Sequence, residues 1–218
     1  MKLKDYTRLM ALLIAVSGTL GSGKDYIAEN MLLPLLHKDL RVTKMAFADH
    51  IKVSVASEEQ FHIHTVLYGS KDPAIRKKLQ IRGTEEGRDK YGADIWITTL
   101  SNWIKLRQLR GDVIDVVLIT DCRFQNEAQW IEDQGGLLIR VVAPDRHNHA
   151  LDRESRGDPA VRESIASHIS ETALDSYKFT YVLDNTIGNV NVAADLDKIV
   201  RRFISANLDS ASMWNIAP

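Results

Sequence analysis

The chain has 218 residues, of which 44% are hydrophobic and 26% charged, and its formal net charge is −1 at pH 7. This composition is typical of one folded domain with insertions, and no stretch approaches the ~20 apolar residues of a membrane span. The near-neutral charge argues against wholesale binding to nucleic acid or to a membrane surface, so we expect small-molecule partners. A single cysteine, Cys122, excludes an intramolecular disulfide and a multi-cysteine metal site, which predicts a reducing, cytoplasmic environment.

An apolar run over residues 10–17 predicts a central strand buried on both faces, because the run is nearly continuous rather than alternating. Gly18, Gly23 and Lys24 then complete the pattern G-x-x-x-x-G-K, and helical spacing follows to about Leu36. Small residues let backbone N–H groups curl around an anion, while the helix N-terminus and the lysine add positive charge. This order predicts a phosphate-binding loop (P-loop) far better than a glycine-rich turn without a ligand.

Polar residues follow the first two predicted strands at positions where ligands bind in open α/β sheets. Asp25 stands where most P-loops have serine or threonine, and it either binds Mg²⁺ or favours the helix start through the helix dipole. Residues 42–48 predict a second strand, followed by a helix with Asp49 as its N-cap. Asp49 and Lys52 are either ligand contacts or a cap and a solvated lysine.

Residues 57–111 contain no convincing strand and predict a helical insertion. One helix covers residues 73–83, Thr84 caps a second, and Asp94 caps a third that continues to Arg110.

Arginines flank the predicted break between the first two of these helices. Arg82 and Arg88 could each grip a phosphate with two parallel hydrogen bonds. Trp96, at the start of the third helix, is either part of the core or a stacking platform.

Residues 112–120 form the strongest remaining strand pattern and lead into Asp121 and Arg123. An acid at the end of such a strand is suited to the magnesium side of a phosphate site, and Arg123 is expected to point into the same cleft. A helix from Asn126 to the glycines at 135–136 and a strand over 137–142 follow.

The C-terminal third begins with a polar, charged stretch over residues 145–157, which predicts a mobile segment. It is either a solvated loop or a lid that carries Arg153 or Arg156 onto the transferring phosphate. A helix over 160–177, a fifth strand over 181–185 and a closing helix over 192–206 complete the chain.

Several short strings narrow the interpretation and together extend over roughly residues 10–200. They are Gly-Ser-Gly-Lys-Asp at 21–25, Phe-Ala-Asp-His-Ile-Lys at 47–52, Leu-Gln-x-x-Gly-Thr-Glu-x-x-Arg at 79–88, Gly-x-Asp-x-Trp at 92–96, Asp-Cys-Arg-Phe-Gln-Asn-Glu at 121–127, His-x-Ser-Glu at 168–171 and Asp-Asn at 184–185. With the order of predicted elements, these strings resemble bacteriophage deoxynucleoside monophosphate kinases, relatives of the P-loop nucleoside monophosphate kinases. Animal phosphomevalonate kinases are more distantly similar and share the Ser-Gly-Lys-Asp loop.

The resemblance implies a P-loop NTPase fold of three α/β/α layers around a parallel five-stranded sheet. It implies one kinase domain, with a core at about 10–56 and 112–210, a helical acceptor-binding insertion at about 57–111 and a small lid at about 145–160. The implied activity is Mg²⁺-dependent transfer of phosphate from ATP to a deoxynucleoside 5'-monophosphate, in deoxynucleotide supply for DNA synthesis, with a modified pyrimidine as one candidate acceptor. We expect no nucleic-acid or membrane partner, and the sequence leaves open whether the protein forms a homodimer.

The resemblance also implies the residues of the site. The ATP side comprises Gly18, Gly21, Ser22, Gly23, Lys24, Asp25 and Tyr26. The acceptor side comprises Asp49, Lys52, Arg82, Thr84, Glu85, Arg88, Trp96, Arg123 and Glu127. The catalytic residues are Lys24, Asp121, Arg123, Arg153 and Arg156, and the Mg²⁺ ligands are Asp25 and Asp121. The loop residues Thr19 and Leu20 depart from relatives that carry a basic residue there, and the lid arginines do not align one to one.

Other classes of function make different demands on the sequence. A P-loop GTPase would carry an N-K-x-D string, which this sequence lacks. A non-catalytic nucleotide-binding protein would not need Arg82, Arg88 and Arg123 to converge with the P-loop. Phosphomevalonate kinase activity stays open, because only an assay with each acceptor separates it from nucleotide kinase activity.

Overall fold

The computed structural model describes residues 11–68 and 73–211 and has a sheet of five parallel strands at its centre. The strands are β1 (Leu12–Ser17), β2 (Val42–Met45), β3 (Val116–Cys122), β4 (Leu137–Val142) and β5 (Tyr181–Asp184). Their order is β2-β3-β1-β4-β5, and each neighbouring pair is parallel. The predicted sheet is confirmed. Residue 10, where we predicted the first strand to begin, lies outside the described residues.

Helices connect the strands. They are α1 (Lys24–Ile27), α2 (Leu33–Leu36), α3 (Asp49–Glu58), α4 (Ile63–Tyr68), α5 (Pro73–Gly83), α6 (Asp89–Tyr91), α7 (Ile95–Leu109), α8 (Gln125–Asp133), α9 (Pro144–Ser155), α10 (Pro159–Ala166), α11 (Ile169–Thr172) and α12 (Val192–Ala211). π-Helical turns over Ala28–Leu32 and Thr84–Arg88 join α1 to α2 and α5 to α6. The first of them precedes Pro34, which lacks the N–H that a regular helix would use at that point.

Successive residues of β1 pack against opposite faces of the sheet. Leu13 and Ala15 belong to an apolar cluster that also contains residues of α3, α7 and α8. Ile14 and Val16 belong to a second cluster with residues of α1, α2 and α12. The strand is therefore buried on both faces, as its continuous apolar run predicts, and the fold has three layers.

The carboxyl ends of the five strands meet at one edge of the sheet because all of the strands are parallel. The P-loop follows β1 there, Arg123 follows β3, and Asn185 follows β5. Ligands in open α/β sheets bind at this edge.

Two predicted helix boundaries are wrong. Asp49 is the first residue of α3 rather than its N-cap, because its Oδ2 turns back and accepts a hydrogen bond of 2.8 Å from the N–H of Ala46. Gly83 does not end its helix, because its backbone is right-handed helical at φ −73° and leads directly into the π-helical turn. Thr84 therefore caps nothing, and Arg82 and Arg88 do not flank a break.

The stretch predicted to be a mobile polar segment, 145–157, is mostly helical. Within it, Ala150 and Leu151 of α9 are buried against Leu20 of the P-loop and Ile165 of α10. The single helix predicted over 160–177 is instead interrupted at His168. This residue has an extended backbone, and its side chain caps α11 by accepting from the N–H of Ser170.

The strand predicted over 112–120 pairs later than expected, from Val116 to Cys122. Asp115 explains the late start, since its carboxylate accepts from the backbone N–H and the guanidinium of Arg41. The sequence pattern also missed α4, a short helix within the insertion.

Candidate active site

The P-loop, residues 18–24, has a backbone that requires glycine at two positions. Gly21 and Gly23 have φ of +79° and +83°, a region that L side chains rarely adopt. A Cβ on Gly21 would lie 2.5 Å from the Cβ of Ala150, and one on Gly23 would overlap the amide nitrogen of Asn185. The loop is a backbone cradle that any side chain at these positions would crowd, as the glycine spacing predicts.

Lys24 begins α1 and is only 7% exposed. Its Nζ lies 3.0 Å from Oδ2 of Asp25, whose side chain is 59% exposed. Burying an ammonium group costs free energy unless an opposite charge lies nearby, and Asp25 supplies that charge.

Two buried polar side chains hold the P-loop in place. The side-chain amide of Asn185 donates a hydrogen bond of 2.8 Å to the carbonyl of Ser22. The Oε2 of Glu171, in α11, accepts one of 2.9 Å from the N–H of Leu20. These bonds fix the loop from β5 on one side and from α11 on the other.

Arg123, after β3, is paired with the same glutamate. Its guanidinium donates to Oε1 of Glu171 and, at 3.3 Å, to the carbonyl of Ser170. Burial raises the pKa of Glu171, but Arg123, the N–H of Leu20 and Lys24 together outweigh burial and hold that pKa below its usual range. The Glu171 carboxylate is therefore ionised near neutral pH and links the arginine to the P-loop.

A second buried ion pair lies beside Arg123. Arg88 donates to Oε1 of Glu127, donates at 2.7 Å to the carbonyl of Ala93 and stacks on Phe124, its Cζ 3.7 Å from the ring centroid. Oε2 of Glu127 accepts from the N–H groups of Arg123 and Phe124 at 2.8 and 3.1 Å. Burial raises the pKa of Glu127 to about 7, although Arg88 opposes this shift. The Arg88 guanidinium thus already has several protein partners.

Asp121 fixes the turn after β2. Its two carboxylate oxygens accept from the N–H groups of Phe47 and Ala48, at 2.8 and 2.9 Å. Burial raises the pKa of this carboxyl group, and the nearby Lys52 opposes the rise. Lys52 also lies 3.5 Å from Asp49, so the two residues predicted to lie together do so.

Arg82 and Trp96 have partners within the helical insertion. Arg82 is paired with Glu58 and Glu86. Trp96 is 7% exposed, and its Nε1 donates at 2.8 Å to the carbonyl of Gly83. The tryptophan is part of the core and also lines a neighbouring cavity.

A cavity of about 640 Å³ lies where the P-loop, the ends of β2 and β3 and the insertion meet. The predicted site residues that line it are Lys24, Asp25, Asp49, Lys52, Thr84, Arg88, Trp96, Asp121, Arg123 and Glu127. Positive and negative side chains from both predicted half-sites therefore face one space.

A second cavity, of about 380 Å³, adjoins the P-loop at Gly21 and is bounded by α9 and the loop after β5. It is lined by Gly21, Arg146, His149, Ala150, Arg153 and Ile187. Of the two predicted lid arginines, Arg153 lines this second cavity. Arg156 ends α9 with a left-handed backbone at φ +53° and does not belong to the lining of either cavity.

Comparison with known proteins gives one partial sequence match. A deoxynucleoside-5'-monophosphate kinase of Escherichia phage T5 is 30% identical over 122 residues, which cover 53% of this chain and 41% of that protein. The match thus spans less than half of the relative's length. No family model matches the chain.

Solved kinases are similar in fold at low sequence identity. A dephospho-CoA kinase from Campylobacter jejuni is 13% identical with a TM-score of 0.46, over 89% of this chain and 98% of its own. A shikimate kinase from Acinetobacter baumannii in complex with shikimate is 14% identical with a TM-score of 0.36, over 91% and 95%. Because both TM-scores are below 0.5, the fold assignment rests on this chain's strand order and P-loop. The chain has a three-layer α/β/α fold with a P-loop. The phage match supports the predicted resemblance to nucleoside monophosphate kinases.

Within this P-loop fold, several predicted residues lie outside the lining of the larger cavity. Arg82 and Glu85 do not line it, although neighbouring residues of the chain do, and Tyr26 is 64% exposed and does not line it either.

Sequence reasoning gave no role to four residues that the fold places at the site. Arg76 of α5 lines the larger cavity and forms a 2.5 Å ion pair with Glu154 of α9, so it joins the insertion to the predicted lid. Arg146 and Asn185 adjoin the P-loop, and Glu171 bonds to it. The strings at 168–171 and 184–185 pointed to Glu171 and Asn185 without indicating what they do.

The residues present are compatible with ATP and Mg²⁺. A Cβ at Gly21 or Gly23 would collide with neighbouring atoms, so the loop keeps the tight glycine backbone that is typical of phosphate cradles. The described part of the chain has no group of three or more His, Cys, Asp or Glu side chains that could hold a metal by themselves. Mg²⁺ commonly uses one or two carboxylates and substrate phosphates instead, and Asp25 is suitably placed on the cavity wall.

No helix within residues 11–68 and 73–211 is long and apolar enough to cross a membrane.

Proposed function

We propose that this chain is an ATP-dependent kinase that converts a deoxynucleoside 5'-monophosphate to the diphosphate. The observation that carries the proposal is that Lys24 of the P-loop and Arg123 after β3 line one cavity. Transfer between two phosphate groups requires cations on both, since two anions must approach each other. The phage match supports the choice of a deoxynucleotide as acceptor.

The walls of the larger cavity favour a nucleotide over phosphomevalonate. Phe47, Trp96 and Phe124 contribute aromatic surface to it, and aromatic surface is suited to a planar base rather than to a small aliphatic acid. Lys52 and Arg123 would hold the acceptor phosphate at the sheet edge, and Thr84 offers a hydroxyl to the base.

The smaller cavity would hold the nucleoside part of ATP. It borders the P-loop at Gly21, and Arg146 and Arg153 give it guanidinium groups that can stack on a base or pair with phosphate. Both cavities are lined by residues of the loop that would hold the transferring phosphate.

The acceptor oxygen is already ionised at neutral pH, so the reaction needs no strong general base. The protein's residues would align the two phosphates, neutralise them with Lys24 and Arg123 and exclude water beneath α9. Mg²⁺, held by Asp25 and the ATP phosphates, would supply further charge neutralisation. Asp121 would act indirectly, by fixing the turn that carries Asp49 and Lys52.

A coupled ADP-release assay tests the proposal. The wild-type protein is incubated with Mg²⁺ and ATP and, separately, with each deoxynucleoside monophosphate, a hydroxymethylated pyrimidine monophosphate and phosphomevalonate. We expect ADP release above background with at least one deoxynucleoside monophosphate and none with phosphomevalonate. ADP release with phosphomevalonate alone would favour phosphomevalonate kinase activity. If none of the acceptors gives ADP release above background, a non-catalytic nucleotide-binding protein would be favoured.

A further inference from the structure

Glu171 is a buried carboxylate whose two oxygens serve different parts of the site. The residue is 6% exposed. Its Oε2 accepts a 2.9 Å hydrogen bond from the N–H of Leu20 in the P-loop, and its Oε1 accepts from the guanidinium of Arg123. One side chain therefore contacts both the loop that would hold ATP and the arginine that would hold the acceptor.

These contacts are electrostatically strong because both involve the ionised carboxylate. Charge-assisted hydrogen bonds are shorter and roughly twice as strong as neutral ones, and burial reduces screening by water. The positive charges of Arg123 and Lys24 offset the burial of the carboxylate. Its ionised form is thus the one that the fold stabilises.

The connection continues from Arg123 to the insertion. The backbone N–H of Arg123 donates to Glu127, and Glu127 is paired with Arg88, which donates to the carbonyl of Ala93. A continuous polar chain therefore runs from Leu20 through Glu171, Arg123, Glu127 and Arg88. A shift of Arg123 toward an acceptor phosphate would change the bond that orients the Leu20 N–H.

We propose that Glu171 is a positioning residue that couples the P-loop to Arg123, so that ATP and the acceptor monophosphate each increase the affinity for the other. This inference rests on the proposed function. Coupling requires an element that both ligands bias, and by linkage the effect must be equal in both directions. A glutamine at this position has one acceptor oxygen and one donor group, so it can serve the Leu20 N–H or Arg123 but not both.

Calorimetric titration of a non-hydrolysable ATP analogue with Mg²⁺ tests the coupling. Affinity is measured with and without the monophosphate that gives the fastest ADP release. We expect the monophosphate to increase analogue affinity by about 5-fold or more in the wild type and by less than about 2-fold in Glu171→Gln. Glu132→Gln is the matched control, because Glu132 accepts a hydrogen bond from Tyr177 on the same side of the sheet but lines neither cavity. It should keep the wild-type coupling.

A coupling factor that is unchanged in Glu171→Gln, or that is absent from the wild type, would overturn the inference. If Glu171→Gln does not fold by circular dichroism, Glu171→Asp replaces it, since the shorter carboxylate keeps its charge but cannot span both donors. It is expected to lose coupling in the same way.

Amide hydrogen exchange of the protein without ligands separates this inference from the proposed function. We expect the Leu20 amide to exchange about tenfold faster in Arg123→Lys than in the wild type, because the substitution loosens the carboxylate that accepts from this amide, and a lost hydrogen bond is worth up to about 1.4 kcal/mol. Unchanged exchange in Arg123→Lys would show that Arg123 does not act on the loop through Glu171. If no monophosphate is phosphorylated, the proposed function fails, but the exchange result still decides whether Glu171 links the two elements.

Discussion

Substituting alanine at Gly23 tests whether the P-loop backbone has the conformation that a phosphate cradle needs. Gly23 has φ +83°, and a Cβ there would overlap the amide of Asn185, which holds the carbonyl of Ser22. Gly111 is the matched control, because it has φ +93° but a Cβ on it would meet nothing within 4 Å. The two substitutions therefore share the backbone strain and differ in the crowding.

The strain of a left-handed L residue costs about 1–2 kcal/mol. Displacing Asn185 leaves buried polar groups unsatisfied, at about 1–3 kcal/mol more. We thus expect urea unfolding to show a loss of about 1–2 kcal/mol for Gly111→Ala and about 2–5 kcal/mol for Gly23→Ala. Binding of an ATP analogue should weaken strongly in Gly23→Ala and stay unchanged in Gly111→Ala. Equal losses of stability together with unchanged analogue binding in both variants would show that crowding at Gly23 neither destabilises the loop nor affects nucleotide binding.

Other predictions concern single charged side chains of the site. Asp25→Ala should raise the Mg²⁺ concentration for half-maximal ADP release several-fold, and Asp25→Ser should bring this concentration most of the way back to the wild-type value. An unchanged Mg²⁺ titration together with a lower Tm in Asp25→Ala would show that Asp25 only stabilises the helix start. Arg88→Lys should lower the Tm and weaken acceptor binding, because a lysine cannot keep the bonds to Glu127 and Ala93 while stacking on Phe124. An unchanged Tm would show that these contacts of Arg88 do not stabilise the fold. The pKa of Glu171 is lowered by folding, so its ionised form stabilises the fold above its ordinary pKa of about 4.5, and this stabilisation is lost as the pH falls through the folded-state pKa. The stability difference between wild type and Glu171→Gln in urea should therefore shrink as the pH is lowered below about 4.5, and a difference that is constant with pH would contradict the ionised pairing.

The parts of the fold that depend on local patterns could be predicted from the sequence. The continuous apolar run before Gly18, the glycine spacing and the helix that begins at Lys24 each report a local requirement of burial or backbone conformation. The end of β3 near Asp121 and Arg123 was predictable for the same reason, because an apolar run stops there. The residues at these strand ends then meet because the strands are parallel.

The errors lie where tertiary contacts override local signals. Glycine is a residue type that commonly ends helices, but the carbonyl of Gly83 accepts a hydrogen bond from Trp96, and the helix continues through Gly83. The polar stretch over 145–157 has the composition of a loop, but Ala150 and Leu151 give it one apolar face that packs on Leu20. Such partners are distant in sequence, so no short window contains them.

The roles of the charged residues were the least predictable part of the site. Arg88 and Arg123 were predicted from their positions, but their pairing with Glu127 and Glu171 depends on contacts 39 and 48 residues apart. Asp121 shows the same limit, since its position at the sheet edge could be predicted but its bonds to the N–H groups of Phe47 and Ala48, 74 and 73 residues away, could not.

Transfer of label from [γ-³²P]ATP shows whether the protein moves the terminal phosphate of ATP onto a deoxynucleoside monophosphate. Wild-type protein and Lys24→Ala are incubated with Mg²⁺, labelled ATP and each deoxynucleoside monophosphate, and the products are separated by chromatography. We expect a labelled deoxynucleoside diphosphate with the wild type and about a 10³-fold lower rate with Lys24→Ala, whose melting curve should show that it is folded. Label released only as inorganic phosphate, or a Lys24→Ala variant that keeps a tenth of the wild-type rate, would contradict the proposed phosphate transfer.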